Sequence, residues 1–302
     1  MKKFIKTIPI SISGIALALA ALGNLIRAHS ETLRYIVGFL AIIVFTLFLL
    51  KLVFDYKNVN DELKSPVALS TFPTSTMAVM MLTTYIYAYA EETAYAIWHI
   101  TLIIHIVIML VFIKRFVLRF DIQNVYPSWF VVGVGIAVAS NTAPMIGAIA
   151  TGQMAFIIGL IAYVLIIPLL IARLIKNPIS ERALPTLAII NVPTNLLIAG
   201  YFNSFIHQGY SNSTLIWILL PISIIGYIIV TAKMPKLLKL PFHSNYASFT
   251  FPYIISSIAF TLTASYIGHP ALIPIVHISH VIATSITIYT LIRFASYLYK
   301  GQ

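Results

Sequence analysis

Long apolar runs, interrupted by short charged segments, set the pattern of the 302-residue chain. The charge-free stretches 7–26, 35–50, 65–90 and 93–113 each suit one helix, because crossing about 30 Å of hydrocarbon takes roughly 20 residues. Three further stretches, 122–172, 183–232 and 240–292, have twice that length. Each breaks near its middle at turn-forming residues: Gly147 to Gly152, Asn203 to Ser213, and Gly268-His269-Pro270. The pattern predicts ten transmembrane helices in a single membrane domain, 1–302, with no separate soluble unit. Their approximate spans are 8–28, 35–54, 66–90, 93–113, 125–147, 153–172, 184–206, 213–232, 245–267 and 271–293. The runs are continuous rather than alternating, which excludes a β-barrel.

Composition agrees. Charged residues are 9% of the chain and hydrophobic residues 60%, whereas an ordinary globular domain is about 25% charged. The positions of the charges add an orientation. Lys2, Lys3 and Lys6; Lys51, Lys57 and Lys64; Lys114, Arg115 and Arg119; Arg173, Lys176 and Arg182; Lys233, Lys236 and Lys239; and Arg293 and Lys300 all fall on one side of the predicted spans. These are 17 of the 19 basic residues; only Arg27 and Arg34 fall on the other side, where Glu91 and Glu92 also lie. Basic loops stay inside, so both termini are expected in the cytoplasm and the protein in the cytoplasmic membrane. The net charge of +11 is then topological, and no nucleic-acid partner is expected. The first apolar run reads as a span rather than a signal peptide, since further spans follow it. The chain has no cysteine, so disulfides and thiolate metal sites are unavailable.

A repeat underlies the spans. Pro9, Pro66, Pro127, Pro185 and Pro241 head the odd-numbered helices at separations of 57, 61, 58 and 56 residues, one helical hairpin per unit. Proline suits the first turn of any helix, which explains that set without invoking function. A second set of breakers, Pro73, Gly135, Pro193 and Pro252, lies within the spans. There a proline removes a backbone hydrogen bond and kinks the helix, which is tolerated at membrane depth only where protein or water satisfies the freed carbonyls. The even helices are rich instead in Ile, Leu, Val and Phe. The expected fold is therefore all-α, with five hairpins around a pseudo-fivefold central pore, kinked odd helices inside and even helices facing lipid. Five helix N-termini, each worth about half a positive charge, would then converge on one basic mouth that favours anions. Candidate lining groups are Ser11, Ser13, Thr74, Ser75, Asn191, Thr194, Asn195 and Thr250, whose hydroxyls and amides can donate to a passing anion. The same residue types also glue helices together in membranes, and both readings stand at this point.

Missing chemistry narrows the function. No Asp, Glu, Lys or Arg falls at mid-membrane depth, which argues against sodium- or proton-coupled exchange. His99 and His105 share the fourth predicted helix, and His277 and His280, three apart, share a face of the tenth. No nearby acid or cysteine completes a metal site, so packing roles and no metal are expected. Walker loops, nucleotide fingerprints and catalytic triads are absent, so neither a cofactor nor an enzyme activity is expected.

Three strings, Pro9-Ile10-Ser11-Ile12-Ser13-Gly14, Tyr126-Pro127-Ser128-Trp129 and Ser248-Phe249-Thr250-Phe251-Pro252, together with the hairpin repeat, resemble the tellurite-resistance/dicarboxylate transporter family. That family includes the slow anion channels of plant guard cells. The resemblance implies a homotrimer in which each subunit holds its own pore, blocked by a phenylalanine on the ninth helix. The matching position is Phe251, with Phe249 as the alternative ring. Where the family often carries a Trp just upstream, this chain has Asn245-Tyr246-Ala247. The implied function is a passive channel, or channel-like uniporter, for small inorganic or organic anions across a lipid bilayer. The alternatives are a carrier for C4-dicarboxylates, sulfite or tellurite, proton-linked or not, and a membrane receptor or assembly factor that transports nothing.

Overall fold

Helices make up all the regular structure in the computed structural model, which describes residues 2–177 and 179–300. The side chains of Lys2 and Lys3, counted above among the basic groups, lie outside the described part. The principal helices are α1 (Ile12–Ile26), α2 (Glu31–Phe54), α3 (Thr74–Ile86), α4 (Glu91–Phe112) and α5 (Val138–Ile146). They continue with α6 (Ile149–Lys176), α7 (Val192–Ser204), α8 (Thr214–Leu237), α9 (Thr250–Ile267) and α10 (Ile273–Lys300).

Seven helical stretches among the described residues are long and apolar enough to cross a membrane. They contain α2, α4, α6, α7, α8, α9 and α10; the stretches around α7 and α9 begin as 3-10 helix at Glu181 and Ser244. The sequence predicts ten, and the difference has a local cause. Helix α1 has only 15 residues. Helix α3 is cut off from the short helix Pro66–Thr71 at Pro73, which has no N–H to extend the ladder. Helix α5 is cut off from Trp129–Gly133 by the 3-10 turn Gly135–Ala137.

Successive helices pair as α1 with α2, α3 with α4, α5 with α6, α7 with α8 and α9 with α10. A second set of contacts joins the odd helices alone: α1 to α3, α3 to α5, α5 to α7, α7 to α9, and α9 back to α1. Small residues permit this closeness. A Cβ on Gly200 of α7 would sit 2.1 Å from Ser140 Oγ of α5, so that contact requires glycine. The α5–α6 and α9–α10 connections turn at Gly147 and Gly268, whose φ values of 71° and 70° no β-branched residue takes cheaply.

Burial separates the two sets. In the stretch holding α7, 83% of the most apolar window is buried, against 22% for α8. Phe39 of α2, Ile103 of α4, Leu165 of α6, Ile228 of α8 and Val281 of α10 are all exposed. So continuous an apolar surface belongs against lipid, and the chain is a multi-pass membrane protein.

Candidate functional site

Two cavities lie along the ring of odd helices. The narrow one, about 40 Å³, is lined by Ser11, Leu17, Thr74, Met77, Val131, Ile189, Val192, Asn245, Ser248, Phe251 and Pro252, among others. It holds about three water molecules at most. The wide one, about 500 Å³, is lined by Asn24, Met81, Asn141, Thr142, Asn203, Ile258 and Thr261, with Arg27 and Glu31 at its edge. Residues from the N-terminal part of every odd segment reach the first cavity, and residues from the C-terminal part reach the second. Each of the five odd segments therefore contributes to both cavities, in the same N-to-C order. Leu17 to Asn24 on α1 and Phe251 to Ile258 on α9 are both steps of seven residues, which puts the cavities roughly 10 Å apart.

The breakers shape the narrow cavity. Just before Phe251, between Phe249 and Thr250, the chain changes from the 3-10 helix Ser244–Phe249 to α9, and Thr250 Oγ1 donates to the Ala247 carbonyl at 2.8 Å across the change. Pro252 then falls in the first turn of α9, where an N–H has no helical acceptor to lose. Pro193 sits the same way at the start of α7, after the 3-10 helix Glu181–Asn191, and Pro73 caps α3. The breaks expected within spans thus take the form of helix starts, and Gly135 lies in a 3-10 turn. Hydroxyls satisfy the carbonyls these breaks release: Thr74 Oγ1 donates to Thr71 O, Ser75 Oγ to Phe72 O and Thr76 Oγ1 to Pro73 O, at 2.8–2.9 Å.

The two candidate rings differ in surroundings. Phe251 is 6% exposed and lines the narrow cavity. Phe249 is fully buried, with its ring 4.9 Å from that of Tyr246, and does not reach the cavity.

Polar residues divide similarly. Ser11 and Thr74 line the narrow cavity; Ser11 Oγ donates to Ser244 O at 2.6 Å and Thr74 Oγ1 lies 2.7 Å from Ser13 Oγ. The other candidates hold helices together. Thr194 Oγ1 lies 2.8 Å from the Tyr163 hydroxyl of α6, and Asn195 Oδ1 accepts from Ser223 of α8 at 2.6 Å. Asn191 Nδ2 donates to Ser256 Oγ of α9 at 2.8 Å. Ser13, Ser75 and Thr250 also spend their hydroxyls on carbonyls three residues back. Sequence reasoning did not single out Leu17, Met77, Val131 and Val192, the apolar wall around Phe251, nor Asn24, Asn141, Asn203 and Thr261 of the wide cavity. A signal for two of the asparagines existed: Asn24 and Asn141 are each an amide inside an apolar run, close to the C-terminal end of an odd span.

Ionisable side chains are unevenly placed: Arg27 and Glu31 line the wide cavity. Among the described residues none lines the narrow cavity. Beside the wide cavity Arg34 is buried, with Nε donating to Asn24 Oδ1 at 3.2 Å, Nη2 to Thr84 O at 3.0 Å, and an ion pair to Glu31 at 3.1 Å. Arg27 pairs with the same carboxylate at 2.8 Å, so the edge keeps one net positive charge. At the opposite end Lys51 pairs with Asp55 and donates to Lys6 O at 3.0 Å, tying the end of α2 to the N-terminal segment. Glu62 beside them is held above the usual carboxylate range by burial, against the pull of Lys51 and with the push of Asp55. The narrow cavity thus presents hydroxyls, an amide and apolar wall, and no charged side chain.

The sequence model of the voltage-dependent anion channel family, SLAC1, matches residues 5–295. The chain belongs to the SLAC1 family. No curated protein matches it. The SLAC1 family is one of channels and transporters rather than enzymes, in keeping with a multi-pass membrane protein that carries no catalytic motif. The matched stretch of this SLAC1-family chain includes the linings of both cavities, from Ser11 to Leu262.

Proposed function

We propose that this chain is a passive channel for small anions, with a pore along the axis of the five odd helices and Phe251 as its gate. The carrying observation is that every odd segment contributes to both cavities, while the narrow one is closed by apolar side chains, Phe251 among them, with no ionisable group among the described residues. A ring in a dry constriction blocks an ion by denying it water, and a small displacement of the ring restores the path. In this reading all ten helices cross the bilayer as five hairpins. The broken odd helices are tolerated because they are enclosed by protein, which agrees with the closed set of contacts among them. The basic end, with both termini, faces the cytoplasm across the cytoplasmic membrane. The exposed faces of the even helices meet lipid and, in a homotrimer, neighbouring copies.

The test is flux through liposomes containing the purified chain, over a panel from chloride and nitrate to sulfite and C4-dicarboxylates. A channel gives voltage-driven flux that does not saturate at low turnover. Saturating, slow flux of one organic anion would replace this reading with a carrier, and no flux at all would replace it with a receptor.

A further inference from the structure

The geometry points to a binding site for a divalent transition-metal ion formed by His29, His277 and His280. The three residues come from two places far apart in the sequence. His29 precedes α2 in the α1–α2 connection, while His277 and His280 lie one turn apart on α10. One ring nitrogen from each lies within 4.8 Å of the others. Tetrahedral zinc, with Zn–N of about 2.0–2.1 Å, needs nitrogens about 3.3 Å apart, a closure of roughly 1.5 Å. His29 and His277 are exposed and free to swing that far, with His280 half-buried beneath them.

Packing alone explains the cluster poorly. The rings meet edge to face at 6.0–6.5 Å between centroids, a contact that buries little when two of the three face solvent. His280 has a hydroxyl beside one ring nitrogen. Thr261 Oγ1, which donates to Ser257 O at 2.7 Å, lies 2.9 Å from His280 Nε2. When Nε2 carries the ring proton and Thr261 accepts it, Nδ1 keeps the lone pair a metal requires. A hydroxyl holding the remote ring nitrogen is the usual support for a metal-binding imidazole. The N-terminal side of the site is fixed too: the His29 N–H donates to Ile26 O at 2.9 Å, and Ser30 Oγ caps α2 by accepting from Leu33 N at 3.2 Å. Arg27, the nearest cation in sequence, is paired with Glu31. Three neutral imidazoles without a carboxylate select zinc, copper or nickel over magnesium and calcium, and leave a fourth position for water.

The site adjoins the wide cavity, because Thr261 and Ala28 line it. On the reading of the chain as an anion channel, a bound cation adds two positive charges at the outer mouth and gathers anions there.

Binding is measured on the purified full chain in detergent, without any transport readout, so its outcome does not depend on the proposed function. Titration with zinc chloride, followed by calorimetry and metal analysis of the dialysed protein, is expected to give one zinc per chain. His29→Gln and His277→Gln each weaken binding at least about tenfold, and Thr261→Val about tenfold through the lost acceptor. His99→Ala, on the distant α4, leaves binding intact. Melting temperature without metal reports whether each variant folds, and a variant that does not is replaced by its asparagine counterpart. A wild-type chain that binds no zinc, or a His29→Gln/His277→Gln double variant that binds it as the wild type does, overturns the proposal.

Discussion

The two cavities lined by the odd helices differ in size and in chemistry. The narrow cavity is about 40 Å³, walled by Leu17, Met77, Val131, Val192 and Phe251, with no ionisable side chain among the described residues on its surface. The wide cavity is about 500 Å³, lined by Asn24, Asn141, Asn203 and Thr261, with Arg27 and Glu31 at its edge. If the chain conducts anions as proposed, an ion keeps most of its hydration in the wide cavity and loses it in the narrow one, and the resistance to passage is concentrated at one end. A substitution at the narrow end then acts on the barrier, whereas one at the wide end acts only on the local concentration of ions.

The sharpest way to break this contrast is to remove the ring. Phe251→Ala is expected to raise chloride flux through liposomes at least about tenfold, equivalent to roughly 1.4 kcal/mol off the barrier. An unchanged flux would place the resistance elsewhere and remove Phe251 from the gate. Phe249→Ala is the paired control. It leaves flux per folded chain within about twofold but empties a fully buried site against Tyr246, at a cost of about 3 kcal/mol. Its effect therefore appears as a lower melting temperature in detergent.

These two rings also mark the limit of what the sequence discloses. The hairpin boundaries at Gly147 and Gly268 are legible because a left-handed turn between apolar runs leaves a local signature. The lipid-facing character of the even helices is legible for a similar reason, since bulky apolar residues occupy all their sides. The number of uninterrupted helices is not: Pro73 reads equally as a kink or as a start, and neighbouring hydroxyls decide by capping the freed carbonyls. Nor is the lining. A threonine inside an apolar helix can face an axis or a neighbour, and Thr194 is claimed by Tyr163, 31 residues earlier on α6. His29 joins His277 and His280 only once α10 lies beside the α1–α2 connection. Phe251 is singled out by resemblance alone, for nothing in its spacing distinguishes it from Phe249.

A smaller effect tests whether the asparagines away from the cavities are structural. Asn195→Ala removes the acceptor of the Ser223 hydroxyl and the donor to Asn191 O, both buried. Stranding those groups costs about 1–3 kcal/mol. The relative flux of chloride and nitrate should stay as in the wild type. A changed anion preference at unchanged stability would move Asn195 onto the ion path, and the division between lining and packing residues would have to be redrawn.

The smallest effect is expected at the mouth of the wide cavity. Arg27→Gln removes one exposed charge and leaves Glu31 paired with Arg34 at 3.1 Å, so the edge loses its net positive charge without losing its shape. Fewer anions then gather at the entrance, but each still meets the same barrier at Phe251. Flux into the wide cavity should fall by less than about twofold at low ionic strength. Salt removes even that difference, because the screening length shrinks from about 10 Å at 0.1 M to about 3 Å at 1 M. Flux with varied Arg27 and Phe251 in one double-substitution series decides the matter. If resistance sits only at the narrow end, the small effect of Arg27→Gln grows once Phe251→Ala has lowered the main barrier, because supply at the mouth begins to limit the rate. An Arg27→Gln effect that is already large with Phe251 in place, and that persists in high salt, would mean that the wide cavity holds the ion rather than merely supplying it.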